Sequence, residues 1–216
     1  MFNQSSQTHP SQKSAWLLFL AIVLVAAGLR LWRINTLPPG LYFDEAYEGL
    51  EAWRIYSDPT YRPVFLKGDF GVVPLNAYAN AVMFALFRFF GGEAGPVAMH
   101  VTAACFGILG VITLYGVARE LQKLDRRKPS LSSAFPFFAA AVLAVMRWHL
   151  HFSRMGTEQI IVRLRGLARC GSCLQAGAPA SGCILQGVAL WSRPASMPTK
   201  QRGSSLFSWY WSLDYW

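Results

Sequence analysis

The chain has 216 residues, of which 53% are hydrophobic and 14% are charged, and its formal net charge is +9. A chain of this length could form one or two soluble domains, but its apolar residues fall in long uncharged blocks, which argues against that class. The positive charge is uneven, because residues 161–216 hold six of the 20 Lys and Arg residues but only one of the 11 acidic residues.

Three apolar blocks are long enough to predict transmembrane helices. They lie at about 15–32, 97–118 and 131–150. In the first block, Arg30 is placed to reach the membrane interface beside Trp32, and the third block ends on Arg147 and Trp148, a typical interfacial pair. The first block could also be a cleaved signal peptide, since its apolar part is short and Lys13 gives a weakly basic start. The sequence therefore favours an all-α integral membrane protein with about three spans.

A basic loop between the second and third blocks sets the topology. It contains Arg119, Lys123, Arg126, Arg127 and Lys128. The positive-inside rule puts this loop in the cytoplasm, so the N-terminus at 1–14 is cytoplasmic and the loop at 33–96 is extracytoplasmic. We expect a multi-pass protein of the cell inner (plasma) membrane.

An acidic segment in the outer loop predicts a short helix at the membrane surface. A helix that starts near Asp44 would place Asp44, Glu48 and Glu51 on one face, toward water, because they are spaced i, i+4, i+7. The other face would carry Ala46, Tyr47, Leu50 and Trp53.

A second segment of the outer loop, 74–90, is apolar enough to suggest a further span. However, Asn76, Asn80 and Arg88 fall on one stripe with a four-residue period, and apolar residues cover the other faces. This pattern favours a helix that lies in the plane of the membrane interface.

Asp44 allows two interpretations. It could cap the N-terminus of its helix, since Asp is among the preferred capping residues. Alternatively, a carboxylate beside the bilayer can act as a general base toward a hydroxyl group, while the adjacent Glu45 orients a substrate or an ion.

Two segments of the chain resemble the N-terminal part of bacterial membrane glycosyltransferases of the GT-C fold. These segments are PPGLYFDEAYEGLEAW, which begins at residue 38, and WHLHFSRMGTEQI, which begins at residue 148. The resemblance is to the superfamily of protein O-mannosyltransferases and lipid A aminoarabinose transferases, and it covers about residues 15–162. It implies transfer of a sugar from a polyprenyl-phosphate donor to a hydroxyl acceptor on the extracytoplasmic face, by a hexosyl- or pentosyltransferase.

The resemblance also implies roles for individual residues. It makes Asp44 the catalytic base and Glu45 its companion. The lipid phosphate needs a cationic partner, for which Arg154 is the first candidate, with an ordinary interfacial arginine as the alternative. Glu158 is a candidate for substrate binding or a solvated side chain. His100 is a candidate for substrate binding or a buried histidine bonded to a neighbour.

Other residues with ligating or redox chemistry favour neither a metal site nor a redox site. His149 and His151 are two residues apart, and anchoring at the interface explains them better than metal ligation. Cys170 and Cys173 have C-x-x-C spacing, but no second pair and no histidine follow at a suitable distance. The sequence leaves the cofactor open, a divalent cation included.

The resemblance ends at Val162, where relatives continue into further spans. Residues 163–216 are rich in Arg, Gly, Ser, Pro and Trp and show no sustained helical period, so we expect a poorly structured tail that arises from a shifted reading frame. This origin would explain the basic tail without a nucleic-acid partner. The chain would then be a truncated, inactive fragment whose partners are the polyprenyl-phosphate sugar and membrane lipid.

The alternative is a small non-enzymatic membrane protein whose acidic outer loop binds a partner or a cation. The sugar, the acceptor and the oligomeric state do not follow from the sequence.

Overall fold

The structure is a computed structural model, and it describes residues 12–37, 39–66, 74–124 and 132–175. The elements in these ranges are all α-helices. They are α1 (Gln12–Leu31), α2 (Phe43–Ser57), α3 (Leu75–Phe89), α4 (Pro96–Leu124), α5 (Phe135–Val145), α6 (Arg147–Phe152) and α7 (Gln159–Gln175). The all-α prediction is confirmed for this part of the chain.

Helix α4 is the centre of the fold, since it packs against α1, α3, α5 and α7. Two of its glycines allow close approach of other segments. A Cβ on Gly107 would lie 2.9 Å from Nε of Arg30, and a Cβ on Gly110 would lie 3.1 Å from Nε2 of His149. The Arg30 side chain of α1 and the His149 side chain of α6 therefore lie directly on the backbone of α4.

Two of the helices, α1 and α4, are long and apolar enough to cross a membrane, judged by length and composition. They overlap the first two predicted spans. The third predicted span, 131–150, is not one helix, because the chain leaves helical geometry at Met146 (ψ 121°). Helix α5 has 11 residues, about 16 Å, which is shorter than a bilayer core.

The side chain of Arg30 does not reach the membrane interface, contrary to the sequence-based expectation. It is fully buried and donates hydrogen bonds to the carbonyl oxygens of Ala26 (2.9 Å) and Ala144 (3.1 Å). Its Nη2 also lies 2.7 Å from Nδ1 of His149, so His149 is a buried partner and not an interfacial anchor. The break at Met146 frees the Ala144 carbonyl, which explains why a buried guanidinium can be accommodated here.

The predicted orientation of α2 is wrong for Glu48 and Glu51, which are buried together with Glu45, although Asp44 is exposed as predicted. Leu50 and Trp53 on the opposite side are exposed. The acidic face points inward because donors from α3, α4 and the segment after α6 meet it there.

The predicted polar stripe of α3 is divided, since Asn76 and Asn80 are buried and Arg88 is exposed. Apolar side chains such as Val82, Leu86 and Phe89 are also exposed. Helices α2 and α3 pack on each other and on the start of α4 through Ala52, Ile55, Ala77, Phe84 and Met99. That α3 lies in a membrane interface stays a prediction.

The sequence predicted that regular structure ends at Val162, but the helical structure continues beyond it. Helix α7 continues to Gln175, with Ile160 and Ile161 packed on Ala103 of α4. Its C-terminal half packs Leu174 on Val117. Small and apolar residues that recur on one face of α7 explain this packing. The rest of the predicted tail, 176–216, lies outside the described residues.

Candidate active site

The candidate site lies where the first turns of α2, α3 and α4 meet the segment Ser153–Glu158. The structure brings together two of the residues predicted from the sequence, since Oε1 of Glu45 lies 2.8 Å from Nε2 of His100. Both side chains are almost completely buried. Of the two interpretations of His100, the buried histidine bonded to a neighbour describes the observed contact.

Glu45 also receives two backbone N–H groups. The amide of Gly156 donates to Oε1 at 2.6 Å, and the amide of Tyr42 donates to Oε2 at 3.3 Å. Position 156 requires a glycine because a Cβ there would lie 2.8 Å from the same Oε1 atom. Glu45 therefore joins α2 to α4 and to the segment after α6.

These donors decide the ionisation of Glu45. Burial alone would raise its pKa, but the hydrogen bonds from His100 and from the Gly156 amide outweigh that effect, and the pKa of Glu45 is lowered below its ordinary value. The buried carboxyl group is thus held as the anion.

This lowered pKa predicts a pH dependence of stability. A carboxyl group with a lowered pKa in the folded state stabilises the fold above its unfolded pKa, near 4.5, and this contribution is lost as the pH falls through the folded value. The difference in free energy of unfolding between wild type and Glu45→Ala should therefore shrink below pH 4.5. Chemical denaturation in detergent micelles from pH 3 to pH 7 checks this, and a difference that grows on acidification would contradict it.

Glu48 and Glu51 have protein partners as well. Glu48 accepts a hydrogen bond from Nδ2 of Asn76 and another, at 3.3 Å, from the Glu158 amide. Glu51 pairs with Arg54 (2.6 Å) and accepts the hydroxyl hydrogen of Tyr61 (2.6 Å). The hydrogen bond to Glu51 raises the pKa of Tyr61.

Asp44 differs from these three carboxylates. It is exposed in the first turn of α2, which begins at Phe43, so the capping position belongs to Tyr42 and not to Asp44. Its two chain neighbours diverge: Phe43 points outward with 81% of its surface exposed, and Glu45 is fixed in the interior. Asp44 is therefore an accessible carboxylate on a firmly anchored helix end.

The remaining predicted site residues lie near this cluster. Arg154 is half-buried, and its guanidinium donates to the carbonyl oxygens of Leu29, Trp32 and Leu37. Glu158 precedes α7, and its amide bonds Glu48 as described above. Contact of either side chain with a substrate stays a prediction.

Two residues of the cluster were not identified from the sequence as site residues. Asn76 donates to Glu48 and also to the carbonyl oxygen of Gly156 (2.8 Å), so it joins α2, α3 and the segment after α6. The stripe of Asn76 and Asn80 was a usable signal for the first of these residues. No local pattern marks Gly156, whose role depends on a carboxylate 111 residues away in the sequence.

Within the described ranges, no group of three or more His, Cys, Asp or Glu side chains could hold a metal ion. Cys170 and Cys173 pack beside Val117 and Leu121.

No protein-family model, no curated protein and no solved structure matches this chain.

Proposed function

We propose that the N-terminus of α2 is the acceptor side of a membrane glycosyltransferase site, with Asp44 as the general base. The observation that supports this most directly is the contrast between neighbours. Asp44 is exposed, while Glu45 is buried and bonded to His100 and Gly156. A general base needs an accessible carboxylate in a fixed place, and this arrangement supplies both properties.

The proposed reaction uses one proton transfer and one displacement. The carboxylate of Asp44 takes the proton of an acceptor hydroxyl as the hydroxyl oxygen bonds to the anomeric carbon of the sugar. The bond from that carbon to the phosphate oxygen breaks, and the polyprenyl phosphate leaves with the electron pair. Glu45 would not be the base in this scheme, because its own oxygens already accept hydrogen bonds from the protein.

The membrane setting of this proposal rests on composition and exposure. Helices α1 and α4 would be spans, with the N-terminus in the cytoplasm and α2 on the extracytoplasmic side. The outward apolar side chains of α2 and α3 would contact lipid, as in interfacial helices. Glu45, Glu48, Glu51, Asn76 and Asn80 point inward, whereas the exposed Asp44, Arg54 and Arg88 would have to lie at the water side of the interface.

Asp44→Asn tests the proposed role of the base. The purified chain in detergent is incubated with a polyprenyl-phosphate sugar and a hydroxyl-bearing acceptor lipid, and the product is measured by mass spectrometry. If wild type turns over, Asp44→Asn should lower the rate by about 100-fold or more, the usual contribution of a general base. The matched control is Glu93→Gln, which neutralises an exposed carboxylate outside α2 and should leave the rate unchanged.

The same experiment also measures binding. The amount of polyprenyl-phosphate sugar that the purified chain retains is compared with the amount of phosphate-free polyprenol that it retains. Turnover that Asp44→Asn abolishes supports the site and contradicts the fragment hypothesis. Retention of the phosphorylated lipid without turnover supports the site and the fragment hypothesis together. Neither turnover nor preferential retention, or turnover that Asp44→Asn leaves intact, would contradict the proposal and favour the non-enzymatic alternative.

A further inference from the structure

The segment Ser153–Glu158 contacts four helices within six residues. Ser153 packs against Gly107 of α4, and the amides of Gly156 and Glu158 bond the carboxylates of α2. The carbonyl of Gly156 accepts a hydrogen bond from Asn76 of α3. Arg154 extends this set of contacts to the end of α1.

The contacts of Arg154 lie on the chain that enters α2. Its Nη1 donates to the Leu29 carbonyl (3.1 Å), and its Nη2 donates to those of Trp32 (2.7 Å) and Leu37 (3.1 Å). Carbonyls at the end of a helix have no partner within the helix, and Arg154 supplies one. Between these carbonyls lies Arg33, whose φ of +50° is unfavourable for a residue with a side chain. Within the turn, the amides of Thr36 and Leu37 donate to the Arg33 carbonyl at 3.0 Å each, and Arg154 adds three hydrogen bonds from outside.

We propose that Arg154 is a positioning residue that holds the turn after α1 and thereby fixes the position of Asp44. This inference rests on the proposed function, since it makes Arg154 a residue that positions the base Asp44 and not a ligand of the lipid phosphate. Nη2 of the guanidinium donates to two carbonyls and Nη1 to one. Both bidentate edges of a guanidinium include Nη2, so a phosphate bound bidentately would have to displace a bond that holds the turn.

Contacts from the segment Ser153–Glu158 fix both ends of the chain that leads from the turn after α1 into α2. Arg154 fixes the turn at residues 29–37, and two residues later Gly156 fixes Glu45, the neighbour of Asp44. The segment Ser153–Glu158 thus fixes the chain on both sides of Asp44, at the turn before it and at Glu45 after it. Loss of the Arg154 contacts should loosen only the turn.

Limited trypsin digestion of the whole chain in detergent measures this loosening, because Arg33 is itself a trypsin site in the turn. Arg154→Gln should raise the rate of cleavage after Arg33 by about tenfold or more, since several charge-assisted hydrogen bonds are lost. Cleavage after Arg88 in α3 should not change. Arg165→Gln is the matched control, because Arg165 is an exposed arginine of α7.

Arg154→Lys should cleave after Arg33 at an intermediate rate, because one ammonium group cannot reach all three carbonyls. It also supplies the test if Arg154→Gln does not fold. An unchanged rate after Arg33, or an equal rise after Arg33 and Arg88, would overturn the inference. Arg154→Gln that loses retention of the polyprenyl-phosphate sugar with the turn intact would also overturn it, in favour of a phosphate ligand. If wild type retains no such lipid, the proposed function fails, and the digestion still decides the role of Arg154 in the turn.

Discussion

Replacement of Glu45 by alanine should lower the free energy of unfolding by about 3 kcal/mol or more, since removing one partner of a buried pair leaves the other without compensation. The imidazole of His100 and the amide of Gly156 would both lose their acceptor. Reversible unfolding by denaturant in detergent micelles, followed by circular dichroism, measures the change. We expect the helix content of the folded state to remain near that of wild type.

Asp44→Asn is the matched control for this prediction, as it changes the adjacent carboxylate at an exposed position. It should change the free energy of unfolding by no more than about 0.5 kcal/mol. A double-mutant cycle of Glu45→Ala with His100→Ala should give a coupling energy of about 1 kcal/mol or more, because the two side chains are in direct contact. Additive effects of the two substitutions, or a loss for Asp44→Asn as large as that for Glu45→Ala, would disprove the assignment of Glu45 as the buried anchor.

Gly107→Ala should lower the free energy of unfolding by about 2 kcal/mol, within the range observed when a side chain is forced into a packed interior. The added methyl group would collide with the Ser153 side chain and lie 2.9 Å from Nε of the buried Arg30. Neither neighbour can move easily, since Ser153 is fixed in the segment that holds Glu45 and Arg30 is bonded to Ala26, Ala144 and His149. The same unfolding experiment measures this change.

Gly116→Ala in the same helix is the control for this steric effect. A Cβ at Gly116 would meet nothing within 4 Å, so only the gain in helix propensity remains, which is about 0.5–1 kcal/mol of added stability. Opposite signs for the two glycines would support the close approach of Ser153 and Arg30 to α4. A stabilising Gly107→Ala would mean that these segments do not pack in this way.

Hydrophobic runs and turn signals were sufficient to predict most of the helices in the described ranges. The helix near Asp44 and the helix at 74–90 both exist, and α1 and α4 coincide with the first two predicted apolar blocks. These predictions succeeded because they depend on local properties, namely periodicity, length and the positions of Pro and Gly.

The direction in which α2 faces could not be predicted from its own residues. A helix with Asp44, Glu48 and Glu51 on one side is amphipathic, and local reasoning directs that side to water. The donors that reverse this choice are Asn76 and the amides of Gly156 and Glu158, all distant in sequence. These contacts are tertiary, so they override the local pattern and cannot be predicted from the residues of α2 alone.

The end of the helical structure was also misjudged. The segment after Val162 contains glycines and arginines, which weakened its apparent helical period. In the structure, Gly171 lets α7 approach α4, where a Cβ would lie 3.3 Å from Cγ2 of Val117. A residue that weakens a helix in isolation can thus permit the packing that stabilises it.

Carbodiimide labelling of carboxyl groups in the native chain, with mass spectrometry to locate the label, tests the central claim most directly. The claim is that Asp44 alone among the four carboxylates of α2 is accessible, while Glu45, Glu48 and Glu51 are held by partners inside the protein. We predict rapid labelling of Asp44 and slow labelling of the three glutamates, with a polyprenyl-phosphate sugar slowing only the reaction of Asp44. Labelling of Glu45, Glu48 and Glu51 as rapid as that of Asp44 would contradict both the fold of α2 and the role proposed for its N-terminus.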